Sequence, residues 1–143
     1  MMRTIDEELA DLAGEFDLLG DWEERYRYVI DLGRELAPLT DAERSDANKV
    51  RGCASQVWLV TEPQAAGTVT FRGDSDAQIV RGLIAILIRL FSGRTPEAIM
   101  AFDPKVAFES LGFAGALSSQ RSNGLAAMAT RIRRDADALT ART

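Results

Sequence analysis

Hydrophobic positions along the chain change period in an order that predicts helices, a short sheet, then helices again. Ile5, Leu9, Leu12 and Phe16 recur at helical spacing. Thr4, with Glu7 three residues on, matches the box in which side chain and backbone cap each other. Gly20 is expected to end this helix. Asp21 then caps a second one from about Trp22 to Leu36, with Tyr26, Val29, Ile30 and Leu36 on its apolar side. Pro38 stops it, because its ring cannot continue a helix. Thr40 to Lys49 is polar and reads as a mobile approach, with one helical turn at residues 41–44. Gln56–Thr61 and Thr68–Arg72 alternate with period two, predicting a hairpin across the Glu62–Gly67 turn. Asn48–Arg51 is expected as a third short strand.

Ser75 with Gln78 matches another capping box, so the next helix is expected from about Ala77 to Phe91. Ile79, Val80, Leu83, Ile84, Ile86, Leu87, Ile88, Leu90 and Phe91 leave it little polar face, which places it in the core. Gly93 ends it. Thr95-Pro96 and Asp103-Pro104 each start a short helix, with a cap and then proline at the first helical position. Gly112 breaks the second. Ser118 or Ser119 caps a last helix that runs to about Leu139 and buries Leu125, Met128 and Ile132. Gly124 costs that helix about 1 kcal/mol against alanine, which implies close backbone contact with another group. The expected fold class is α+β: a small antiparallel sheet packed on a central apolar helix, with further helices, in one domain over residues 1–143.

Composition adds exclusions. Hydrophobic residues make up 46% and charged residues 27%, an ordinary balance for a chain with a packed core. A net charge of −5 and a pI of about 4.8 argue against nucleic acid and against an anionic membrane surface. The longest apolar run, Leu83–Ile88, is far short of a membrane span. The N-terminus lacks a basic-then-apolar leader pattern, and one unpaired cysteine suits a reducing compartment, so the chain is expected in the cytoplasm. Acids crowd the first 24 residues against Arg3 alone, while Arg131, Arg133 and Arg134 mark the last helix. These are solvated faces, or they steer a partner.

The candidate chemistry is Cys53, the one cysteine of a chain without histidine. A Cys–His acyl-transfer pair and an internal disulfide are impossible, and one thiolate is too little for a zinc or iron–sulfur site. A lone thiol either packs as a small hydrophobe or attacks an electrophile that a partner brings. On residue type alone both readings stand. Gly52 suggests a tight turn before the thiol, and Ser55 and Gln56 put hydrogen-bonding groups near it. Asp74 and Asp76 complement the following helix or form a partner surface. Arg121 is a surface residue or lies near the sulfur.

The segments VRGCASQVWLV, GDSDAQIVRGLIAIL, TPEAIMAFD and LSSQRSNGLAAM, in this order and at this spacing, resemble the SufE family. These are sulfur-acceptor proteins that assist a cysteine desulfurase in iron–sulfur cluster assembly. The resemblance runs from about Trp22 to beyond Met128. It implies a SufE/IscU-like fold and an accessory protein rather than an enzyme. Cys53 is then the persulfide carrier, with Arg51, Gly52, Ser55, Gln56, Asp74 and Arg121 as loop supports or partner contacts. The start of the last helix is expected beside the cysteine loop, its positive end and Arg121 favouring the thiolate. In the free protein the loop is expected to tuck the sulfur against Trp58, Leu59 and the central helix.

No cofactor or metal is expected on this chain, since pyridoxal phosphate belongs to the desulfurase. The implied partners are a SufS- or CsdA-like desulfurase and a SufBCD-type scaffold or other sulfur acceptor. Two alternatives remain: a docking adaptor that only activates a desulfurase, and an IscU-like cluster scaffold, which the single cysteine disfavours.

Overall fold

A computed structural model describes residues 4–113 and 117–140; Arg3, counted above among the N-terminal charges, lies outside them. Its elements run α1 (Ile5–Asp17), α2 (Trp22–Arg34), β1 (Val57–Pro63), β2 (Val69–Ser75), α3 (Gln78–Phe91), α4 (Pro96–Ala101), α5 (Pro104–Ser110) and α6 (Ser119–Thr140). The α+β class holds: the two strands form one antiparallel sheet, and helices supply the rest.

The apolar helix α3 is the centre of the core. Ile79, Val80, Leu83, Ile84, Ile86, Leu87, Leu90 and Phe91 are all buried on it. The sheet lies along it, α2 crosses it, and α1 and α6 complete the packing. The crossing with α2 is tighter than side-chain ridges allow. A Cβ on Gly33 would lie 2.6 Å from the Gly82 nitrogen, and one on Gly82 would lie 2.0 Å from the Val29 carbonyl oxygen. Two glycines therefore let the backbones touch. Beside this crossing Arg89 of α3 bonds Glu15 of α1 at 2.9 Å, and the Tyr28 hydroxyl of α2 donates to the same carboxylate.

Helix starts follow the cap chemistry. Thr4 and Glu7 form the reciprocal box, and Asp21, Thr95 and Asp103 each accept a backbone N–H from the first turn. Ser118 accepts from the Arg121 nitrogen at 3.3 Å. Gly93 and Gly112 take positive φ where α3 and α5 end.

Three details differ from the sequence reading. Helix α1 ends at Asp17 with Leu18 as its C-cap, and Gly20 instead donates its N–H to Glu24 just before the next cap. Ser75 is not a helix cap. Val57 pairs with it at the end of the ladder, so strand geometry runs on to Ser75 and α3 starts after Ala77 without a side-chain cap. The third strand is a single bridge, Lys49 to Trp58, flanked by Val50 N–H to the Val57 carbonyl and Leu59 N–H to the Asn48 carbonyl, both at 2.8 Å.

Candidate functional site

That bridge builds the site. Residues 48–50 and 57–59 are the arms of a narrow hairpin, and the six residues between them are its loop. Gly52 sits near the tip with φ +93°, a conformation that residues with a Cβ resist. A Cβ there would also lie 3.3 Å from that of Ala127, so the tip rests on α6. Cys53 follows, half-buried. Its thiol donates to the Gly124 carbonyl at 3.6 Å, a long and weak bond. This is the close backbone contact that Gly124 implied.

The far side of the loop is tied to the end of β2. Gln56 N–H donates to the Asp76 carboxylate at 3.0 Å, and Asp76 N–H donates back to the Gln56 carbonyl at 3.3 Å. The approach is held too. Arg72 pairs with Glu43, Arg44 pairs with Asp74, and Arg131 reaches from α6 to the carbonyls of Ala47 and Lys49. The segment read as mobile is thus fixed by charges contributed from β2 and α6.

Cys53 opens onto a cavity of about 320 Å³. Ala77, Ile79, Val80 and Leu83 at the start of α3, with Met128 of α6, give it an apolar lining. Ser55, Ser118, Gln120 and Arg121 supply its polar groups. The lining corrects one expectation. Leu59 is buried elsewhere, against Ile84, Leu87 and Ile132, and Trp58 lies under the Arg44 guanidinium, 6.0 Å from its ring centroid. The first turns of α3 shelter the sulfur; Trp58 and Leu59 do not.

The electrostatics correct another. Burial pushes the Cys53 thiol above its ordinary value of 9.0. The helix start and Arg121, expected to favour the thiolate, do not outweigh that burial. The sulfur lies beside a carbonyl of the second turn of α6, and the Arg121 guanidinium stacks over Tyr26 at 5.5 Å.

Of the residues singled out from sequence, the structure brings Cys53, Ser55 and Arg121 to one cavity, with Gly52 and Gln56 on the same loop and Arg51 exposed at its start. Asp74 is not among them. It is 5% exposed and lies between Arg44 at 2.8 Å and Arg81 at 3.0 Å. A carboxylate so enclosed braces the approach from inside and presents no contact face. Sequence reasoning missed the part played by Arg131, whose backbone partners lie more than 80 residues away. Among the described residues, no three His, Cys, Asp or Glu side chains converge in a group suited to a metal ion, and no helix is long and apolar enough to cross a membrane.

The SufE family, described as an Fe–S metabolism associated domain, matches residues 10–136. The chain belongs to the SufE family. An uncharacterized SufE-like protein of Rhizobium etli is 49% identical over 131 residues, covering 90% of this chain and 88% of that one. Another, of Rhizobium meliloti, is 46% identical over 132 residues, with 90% and 94% covered. The solution structure of a hypothetical protein from Thermus thermophilus superposes with a TM-score of 0.75 at 20% identity, over 93% of this chain and 96% of that one. That likeness establishes the shared fold. Membership of SufE links the chain to iron–sulfur metabolism.

Proposed function

We propose that Cys53 carries sulfur. It takes the outer sulfur of a persulfide formed on a cysteine desulfurase and passes it to a scaffold that builds iron–sulfur clusters. The observation that carries this reading is the placing of the chain's one thiol on a hairpin loop, half-buried at the mouth of a partly apolar cavity. The Cys53 thiolate attacks the outer sulfur and forms a new S–S bond. The bond to the desulfurase sulfur breaks, and the leaving thiolate takes up a proton in place of the one Cys53 gave up. No electrons are gained or lost overall, so the step needs no oxidant.

The chain acts as an accessory protein without a cofactor of its own; pyridoxal phosphate sits in the SufS- or CsdA-like donor. We place the reaction in the cytoplasm, with a SufBCD-type scaffold as one acceptor. The burial-raised thiol supports a guarded resting state, in which the loop is drawn out when the donor docks. One observation favours a second reading, a docking adaptor in which Cys53 only packs: the residue lies against the hydrophobic core.

Incubation with a desulfurase and cysteine separates the two. Mass analysis is expected to find one added sulfur on Cys53. Cys53→Ser is expected to fold, to gain none, and to lose stimulation of the enzyme. Full stimulation by the serine variant would overturn sulfur transfer.

A further inference from the structure

We propose that Arg131 is a positioning residue for Cys53, clamping the first arm of the hairpin to the helix on which the sulfur rests. The idea builds on Cys53 as sulfur carrier. The Arg131 guanidinium spends its donors on three acceptors. Nη1 meets the Lys49 carbonyl at 3.1 Å and Nη2 the Ala47 carbonyl at 2.9 Å. Nε meets the Asp135 carboxylate at 3.1 and 3.2 Å. Asp135 is itself oriented by the Thr61 hydroxyl of β1 at 2.7 Å. The arginine and aspartate side chains are only 16% and 20% exposed, so water competes weakly for the Asp135 and Lys49 bonds; the bond to Ala47 is the exposed one. A planar fork with fixed donor directions suits this geometry; an ammonium on a flexible stem does not.

Helix α6 therefore touches the hairpin at both ends, and the two contacts differ in strength. At the tip they are one weak thiol bond to Gly124 and the contact of Gly52 with Ala127. At the base they are charge-assisted bonds to two backbone carbonyls. The base, with Gln56 tied to Asp76 on the far side, is thus the fixed point, and residues 51–55 are the part that moves. Arg131 sets how deep the sulfur lies by fixing where the moving part begins.

The test is the rate at which iodoacetamide alkylates Cys53 in the isolated protein, well below the melting temperature, followed across pH. Arg131→Ala is expected to react about tenfold faster, the factor for about 1.4 kcal/mol of lost closure, with its pH midpoint moved down as the thiol gains water. Arg131→Lys keeps the charge but is expected to leave most of that gain in rate. Arg134→Ala, an exposed neighbour on α6, is expected to match wild type. Should Arg131→Ala fail to fold, Asp135→Asn and Thr61→Val, which remove the orienting acceptor and its brace, are expected to move rate and midpoint the same way by less. Wild-type rate and midpoint in folded variants, even with a lowered melting temperature, would overturn the clamp. That result would leave sulfur transfer standing, since transfer is judged by the mass of Cys53.

Discussion

Gly82 of α3 and Gly124 of α6 are both buried glycines inside helices, yet a methyl group would meet very different surroundings at the two. At Gly82 it would come 2.0 Å from the Val29 carbonyl oxygen; at Gly124 its nearest neighbour is the Cys53 sulfur at 3.7 Å, ordinary van der Waals contact. The first glycine is fixed by packing, because two backbones occupy the space a side chain would need. The second lies beside a group held by one long bond and an open cavity. The crossing region is jammed and braced by an ion pair, and the cysteine region is left room. A molecule of one fold thus keeps its rigid part and its yielding part on two helices that pack together.

The largest effect should come from attacking the jammed side. Gly82→Ala must push α2 off α3, and is expected to cost about 3 kcal/mol or more, or to prevent folding. Denaturant titration checks this. A loss under about 1 kcal/mol would show that the crossing has slack.

Acid should act on the same side. The Arg89 guanidinium bonded to Glu15 holds its carboxyl down at about 2, against an ordinary 4.5. Folded chains thus keep the charge where unfolded ones lose it. The stabilisation is complete above 4.5 and disappears as pH falls from 4.5 toward 2. The pair is partly exposed, so its worth is about 1 kcal/mol and Glu15→Gln is expected to lower the melting temperature by about 3 °C near pH 7. The gap between wild type and variant should close as pH approaches 2. A gap that persists at that pH would mean the charge is not what matters.

Gly124→Ala should be the mildest. Alanine improves the helix by up to about 1 kcal/mol and clashes with nothing. The melting temperature is expected to hold or rise while alkylation of Cys53 slows, because the new methyl covers one flank of the sulfur. A large fall in stability would place Gly124 in the same class as Gly82.

What could be read without coordinates divides along a similar line. Caps at Thr4, Asp21, Thr95 and Asp103 are legible because each needs only a side chain and a backbone N–H two or three residues away. The apolar girth of α3 announces its burial for the same reason. Ser75 misleads because a ladder pairing with Val57, 18 positions earlier, overrides a local capping pattern. Gly33 and Gly82 carry no local signal of the crossing that pairs them. The Cys53 loop is legible as a motif, but the identity of its shelter is not. Trp58 and Leu59 are neighbours in sequence, whereas Ile79, Val80 and Met128 are neighbours only after folding. Asp74 reads as a complement to the following helix or a partner surface because the two arginines that enclose it are not adjacent to it in the chain.

The bond from Val50 N–H to the Val57 carbonyl has a consequence for range. It fixes both ends of a six-residue leash, and a chain of that contour pulled taut carries its midpoint only about 10 Å outward. Any molecule that trades atoms with this sulfur must therefore lift its own reactive group to within that radius of the surface. A reactive group at the bottom of a deeper shaft lies beyond the reach of this thiol, whatever the affinity.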